Sequence, residues 1–580
     1  MYKFSSLPIT LGITGHRDLK DIENINTLLV QEVSYLQSLY PNSELIILSA
    51  LAEGADRMLA DIAKQKKLPL HVILPFHKEE YEKDFPNTVN EFRVLYNYAL
   101  ETAGIHVIDP VVPESETLIP LKDDQSSNIY RNLQYAKAGM FLAERSHILF
   151  ALWDGKKARG LGGTAQIVDF KLKGRISNED LIDLKAQIPN IKYYLDHSNP
   201  LDHPDVGIVC HIKVCRSKEQ YLEEQTVPHV YWHPYRPKKY ASIDSIDKKQ
   251  ESYLQSLQRT EELNVRIREK LSTPSNQSQH NFYEDVFNAI DTLANQDMQD
   301  IRLRYKTIFF IAGLMAIAGN RVLSSDYLTF ASVVFSLLLI TILAILLKKI
   351  HYTKANQLAI QLRTLAEGLR IQNMWHEAMI QQSVALHYLG RNNPEVVWVR
   401  RALLGTCIHS VNDKCLSVSQ SKIIEWIKSQ SQYLHDRIQA KSNKNKKISK
   451  SALIFFSLGI FTIIIICICS FINILSYTPS PILQAINLIL QYIAEISLTC
   501  AALCAGYSKF LGLEEDIIEY RNSAELFDFA LSNLQESSLV NALNSEDLHN
   551  LVYALGVESL QENTRWLKRT VGQDIDLIGR

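Results

Sequence analysis

Eight cysteines occur in 580 residues, yet none stands in a CxxC pair or in a His/Cys cluster of zinc spacing. That excludes the common zinc modules. Cys467, Cys469, Cys500 and Cys504 fall in apolar segments, where a thiol acts as a small hydrophobe. The soluble parts therefore read as reduced and cytoplasmic. An excess of either charge is also missing: the formal net charge is -2 and 21% of residues are charged, which gives no global pull toward nucleic acid. The N-terminus lacks a basic, short-apolar, small-residue pattern, so no signal peptide is expected. His376-Glu377 has no second histidine to make a zincin, and His197, His203, His211, His229 and His233 are scattered without metal spacing. Neither a metal nor a cofactor is expected.

What is present is length and a pair of apolar windows. A chain of 580 residues is too long for one core, so several domains are expected. Hydrophobic residues make up an ordinary 46%, but they concentrate in Thr307 to Leu347 and Ser451 to Tyr507. Tyr327–Leu347 carries no charge and is long enough to cross a hydrocarbon layer of about 30 Å. Ala452–Tyr477 is a second such span. Thr307–Gly319 and Pro481–Tyr507 are weaker, the former short and the latter interrupted by polar groups. Brief linkers, "NRVLSSD" and "TPSP", make each pair a helical hairpin, so the expectation is four spans. Lysine and arginine flank both hairpins on the same side (Arg302, Arg304, Lys306, Lys348, Lys349, Lys354, "KSNKNKKISK" and Lys509), which directs the soluble parts to the cytoplasm.

The first part of the chain alternates strand and helix patterns. Strands are expected at Ile9–Thr14, Leu45–Ala50, Leu70–Pro75, His106–Ile108 and His147–Trp153, with amphipathic helices between them. This predicts an α/β domain built on a parallel Rossmann-like sheet, which binds ligands beyond the carboxyl ends of its strands. Polar residues gather at those ends. Strand one runs Thr14-Gly15-His16-Arg17, strand two ends in Ser49 and "EGADR" (Glu53, Gly54, Ala55, Asp56, Arg57), strand three ends at Pro75, and the fifth leads through Asp154 to Gly162-Gly163-Thr164. Glycines let a phosphate approach the backbone, and free amides at a helix start favour an anion. Arg17 and Arg57 would add charge-assisted hydrogen bonds, and Glu53 and Asp56 suit ribose hydroxyls. Each motif alone is also what a turn or helix cap looks like; the set of four polar strand ends points to ligand binding.

"GITGHRDL", "LSALAEGADRMLA", "LPFHKEEYEKDF" and "LWDGKKARGLGGTAQIV" together resemble the SLOG superfamily over about residues 5–240. Its members are Rossmann-like domains related to cytokinin-activating phosphoribohydrolases and to nucleotide-sensing domains of melastatin-type channels. The resemblance implies a nucleotide-derived or ADP-ribose-like ligand. The enzymes of that group carry GGxGTxxE, whose glutamate serves the hydrolysis; here the position three after Thr164 is Ile167. That departure favours a sensor over an enzyme. The alternative is a membrane-tethered hydrolase using Glu53, Asp56 or Asp154 instead.

Residues 243–306 read as a helical connector, 351–450 as a cytoplasmic helical region and 509–580 as C-terminal helices, around hairpins at 307–350 and 451–508. The segments flanking the hairpins resemble SLATT-type two-transmembrane effector modules of bacterial conflict systems, which implies an inner-membrane homo-oligomer acting in defence. A plain helical bundle supporting the spans is equally compatible. In the last span Gln484, Asn487, Gln491, Glu495 and Thr499 recur at intervals of three or four and share one helix face. They are either pore-lining or hydrogen-bonding glue between helices. The expected partners are a nucleotide signal, the lipid bilayer and further copies of the chain, and not nucleic acid.

Overall fold

The computed structural model describes residues 6–110, 125–157, 161–175, 207–216, 228–234, 248–271, 282–324, scattered positions in 334–344, 355–380, 382–388, 394–407, 420–475, 481–539 and 545–572. The chain forms two units that interleave along the sequence. One contains residues 1–292, 361–419 and 552–580; the other contains residues 293–360 and 420–551.

The first unit is built on a seven-stranded sheet. Its early elements are β1 (Ile9–Gly15), α1 (Ile22–Leu39), β2 (Leu45–Ser49), α2 (Ala55–Gln65), β3 (Leu70–Leu74), α3 (Lys78–Tyr81), α4 (Val89–Glu101) and β4 (Ile105–Val107). There follow α5 (Gln125–Arg145), β5 (Ile148–Trp153), α6 (Thr164–Lys173), β6 (Ile208–Lys213) and β7 (His229–His233). The strand order is β4-β3-β2-β1-β5-β6-β7, parallel except for the β6–β7 pair. Central strands such as "LIILS" and "ILFALW" are buried along nearly their whole length because both faces are covered, which explains their unbroken apolar runs. Alternate residues feed two cores. Ile9, Leu11, Ile13, Leu45 and Ile47 join α1, α2 and α4 on one face. Ile46, Leu48, Leu149 and Ala151 join α5 and α6 on the other.

The amino ends of β1 and β5 are the seat of further helices. α7 (Lys248–Leu271) docks through Asn264, whose amide nitrogen donates to Leu7 O at 2.9 Å while its Oδ1 accepts from Leu7 N at 2.8 Å. α9 (Ala355–Glu377) and α10 (Pro394–Leu404) bring Trp375 and Trp398 into a buried core. Arg401 O lies 2.8 Å from His147 Nε2, and the Arg401 guanidinium stacks 4.1 Å over the Tyr253 ring. Gly405 follows α10 so closely beneath β1 that a Cβ there would stand 2.9 Å from Pro8 O.

The second unit contains the long helices: the later part of α8 (Phe282–Ser324), α11 (Gln420–Leu475), α12 (Pro481–Phe510) and α13 (Leu513–Leu539). α14 (Ser545–Gly572) returns most of its length to the first unit. Among the described residues two stretches, Ser421–Ile474 and Pro481–Leu534, contain a window long and apolar enough to cross a membrane. Their mean hydropathies are 2.9 and 1.7, and only 11% and 17% of the windows is buried within the chain. A core helix of a soluble protein buries most of such a window. Here Phe461, Ile474 and Ile482 stand exposed.

The expectation of four spans is thus corrected to two candidate spans among the described residues. Thr307–Gly319 lies within α8, which enters it from Arg302, Arg304 and Lys306, and is not one of the two candidates among the described residues. Tyr327–Leu347 lies largely outside the described residues. Small residues let α11 and α12 approach closely. A Cβ on Gly459 would meet Leu498 Cδ2 at 2.7 Å, and Ala494, Ser497 and Ala501 are buried.

Candidate functional site

The chain runs outward from β1 through β2, β3 and β4, then returns to place β5 on the other side of β1. The crevice beyond the carboxyl ends of β1 and β5 is therefore the topological switch point, the place where such sheets leave room for a ligand. Gly15 pairs with Leu152 in register there, and His16 N donates to Leu152 O at 3.0 Å.

His16 bridges the switch point. Arg216 Nη2 lies 3.0 Å from His16 Nδ1, and His16 Nε2 lies 3.1 Å from Asp154 Oδ1. Arginine only donates, so Nδ1 must accept and the neutral ring carries its proton on Nε2, aimed at the carboxylate. The backbone N of Asp154, 3.2 Å from Nε2, is then a close neighbour and not a donor to it. Burial lowers the His16 pKa, and Arg216 adds to that, outweighing Asp154. Burial raises Asp154, but the Lys156 amide, His16 and Arg216 together hold its carboxyl below the usual carboxylate range. Arg216, which no sequence motif singled out, completes this triad; Lys20 N bonding Cys215 O at 3.1 Å brings it into place.

The start of α2 packs on the same end. Gly54 has φ +80, and a Cβ there would lie 2.4 Å from Arg17 O. Ala55 N donates to His16 O at 3.2 Å. A Cβ on Gly15 would meet the Ala55 methyl at 2.3 Å. Both glycines thus give their space to protein. Ser49 Oγ donates to Asp56 O at 2.9 Å and accepts from Leu51 N at 3.0 Å, holding the turn closed. Asp56 is buried with its carboxyl on the amides of Ala52 and Ala50, and burial pushes its pKa up to about 7. Glu53 accepts a short hydrogen bond from Thr88 Oγ1. Burial withdraws Asp56 from the ribose contact the sequence led us to expect, while Glu53 stays partly exposed with one carboxylate oxygen on Thr88.

The two expected arginines differ. Arg57 is buried: Nε donates to Leu51 O at 3.1 Å and Nη1 to Thr88 O at 3.2 Å, and the group lies 4.8 Å over the Phe85 ring. Its Nη2 has no hydrogen-bond partner among the described residues. Arg17 is exposed, leans toward the same ring at 5.8 Å, and makes no hydrogen bond or ion pair among the described residues. Pro75 O accepts from Gln134 Nε2 at 2.8 Å, which closes the β3 end.

On the other side, α6 opens at the end of the β5 loop. Gly162 has φ +77, rests on α5 with a would-be Cβ 2.9 Å from Ala136 N, and donates its N–H to Gln166 Oε1 at 2.8 Å. Gly163 is the N-cap residue, and the amides of Gly163, Thr164 and Ala165 have no hydrogen-bond partner among the described residues. Those amides and the helix dipole favour an anion.

Thr14 to Arg17, Ser49, Glu53 to Arg57 and Asp154 thus share one end of the sheet, with Gly162 to Thr164 on the helix that follows β5. The five expected residues of the last span lie along α12. Gln484 and Gln491 are exposed, while Asn487 donates from Nδ2 to Ser470 Oγ of α11 at 3.4 Å. Comparison with protein-family models, curated proteins and solved structures finds no match for the chain.

Proposed function

We propose that the chain is a nucleotide-sensing membrane effector. Its sheet unit would bind a nucleotide-derived signal, and its apolar helices would open the bacterial inner membrane, soluble parts facing the cytoplasm. The observation that carries this reading is the switch-point crevice. The exposed Arg17 guanidinium follows β1, and the start of α6, where the Gly163, Thr164 and Ala165 amides have no hydrogen-bond partner among the described residues, follows β5, on a chain that also holds two candidate spans. A pyrophosphate suits that pairing of a cation with a helix start. The resemblance to SLOG and SLATT modules supports a homo-oligomeric effector of anti-phage defence.

β1 and β5 give the signal a route. Both carry site residues at their carboxyl ends and the docked α7 and α10 at their amino ends, about 20 Å away along the strand. A ligand shifts such an arrangement only by binding two states unequally.

Equilibrium dialysis of the detergent-solubilised full chain against labelled ADP-ribose tests the reading. Wild type binds and Arg17→Ala binds on the order of tenfold or more weakly. Absence of binding, with no nucleotide retained by protein from phage-challenged cells, refutes it. A second reading, a membrane-tethered nucleotide hydrolase, is favoured by the His16–Asp154 pair, a buried base beside a carboxylate. It requires ribose or phosphate product to accumulate in the same dialysis.

A further inference from the structure

Where the basic stretch of α11 passes into its apolar run, the second unit contains a cleft of about 360 Å³ between α8, α11 and α12. Phe309, Phe310, Leu503 and Tyr507 line it, and so do Lys306 and Lys447. An apolar wall with two ammonium groups on it is an unusual lining, because nothing in the wall compensates them. Lys306 and Lys447 are both exposed and have no ion pair among the described residues. More cations crowd in: Lys444 lies in the repulsive field of Arg302, Lys306 and Lys441. Of these, Lys441 is paired, with Asp516. The cations at 444 and 447 and the lining residues Ile448 and Ser451 recur at helical spacing, so α11 turns one continuous face into the cleft.

The walls are fixed in place by ring packing. Tyr305 and Phe510 lie 4.5 Å apart between centroids, and Phe309 lies 5.5 Å from both Tyr507 and Phe510. Gly313 lets α8 close on α12, since a Cβ there would stand 2.4 Å from Leu503 Cδ1. Phe310, by contrast, is 67% exposed and finds no cover within the chain. The cleft is thus a preformed slot with a positive rim and a hydrophobic floor, at the boundary of a candidate span.

We propose that this cleft binds an anionic glycerophospholipid, its phosphate between Lys306 and Lys447 and an acyl chain along Phe309, Phe310 and Leu503. The charge on the rim selects the phosphate, and the apolar floor selects a lipid over a free anion. Tyr507 stands at the depth where an amphipathic ring prefers the headgroup layer. The proposal rests on the helices meeting a bilayer, but not on the sheet unit binding a nucleotide, so each stands or falls separately.

The test is thermal unfolding of the full chain in neutral detergent, titrated with dioleoylphosphatidylglycerol, dioleoylphosphatidylcholine or inorganic phosphate. Phosphatidylglycerol alone raises the melting temperature, in a saturable way. The double variant Lys306→Gln/Lys447→Gln needs on the order of thirtyfold more of it, about fivefold for each lysine. Lys306→Arg/Lys447→Arg restores the effect. Lys446→Gln/Lys450→Gln removes equal charge from the same helix outside the cleft and leaves the titration unchanged. An equal shift with phosphatidylcholine would mean an uncharged lipid groove, and a shift with inorganic phosphate would mean a soluble-anion site. Either result overturns the proposal, as does equal loss in the two glutamine variants. The wild-type comparison of the three additives decides the matter even if a variant fails to fold.

Discussion

Asp56 and His16 lie on adjoining turns at the same end of the sheet, and both are held in the form that carries no charge. The consequences for stability have opposite signs. The Asp56 pKa rises from 3.8 unfolded to about 7 folded, so the folded state holds its proton more firmly. Stability is full below 3.8 and falls as pH climbs through about 7. His16 is lowered from 6.5, so what it contributes is present above 6.5 and lost as pH falls. Replacing Asp56 with asparagine removes the first slope. Its unfolding free energy should overtake that of wild type as pH rises from about 4 to about 7, the gap reaching about 2–4 kcal/mol. Melts across that range check this; a gap independent of pH would falsify the burial argument. Arg57 shows the same economy at one side chain, since its carbonyl partners at Leu51 and Thr88 tie two loops together.

Secondary-structure elements were legible to the degree that their side chains are buried on both faces. β1, β2, β3 and β5 appear within a residue or two of expectation, because runs such as "LIILS" admit few other readings. β7 escaped notice: it is an edge strand of five residues in which only Val230 and Trp232 turn toward the core, too brief an alternation to stand out. At the site, sequence pattern brought out the glycines but not their use. A glycine permits close approach by a ligand or by protein backbone, and in Gly15 and Gly54 the neighbour is protein. Arg216 meets His16 across 200 positions of sequence, a separation that no local motif spans. Equally hidden was the seating of α10 beneath β1, which depends on Gly405. A leucine there would drive its Cβ to within 2.9 Å of Pro8 O. Gly405→Leu should cost about 1–3 kcal/mol in urea unfolding of the full chain, and expose Arg401 and Cys407 to solvent. Cysteine labelling at Cys407 reports the undocking directly.

At the scale of the whole molecule, the polar residues of α12 bear on what the helices do once assembled. Gln484 and Gln491 find no cover from their own chain, and Asn487 borders the contact with Ser470. If α12 spans a bilayer, leaving these amides against lipid would be costly, and further copies of the chain or water would have to meet them. If that face lines a pore, Gln491→Leu/Glu495→Leu should abolish dye release from proteoliposomes while ADP-ribose dialysis is unchanged. Undiminished release would assign the stripe to helix–helix packing instead.

The interleaving of the two units has a consequence for how the protein is made. The sheet unit begins at the amino end, yet Gly556 of its final helix packs against Trp375, so the unit is unfinished until the last segment arrives. Translation proceeds from the amino end, and both candidate spans leave the ribosome before residue 552 does. Order of synthesis and order of completion are therefore reversed: the greasy helices come out first, and the unit that started the chain closes last. A message cut short after residue 534 and before residue 552 yields those helices beside a sheet unit that cannot be completed.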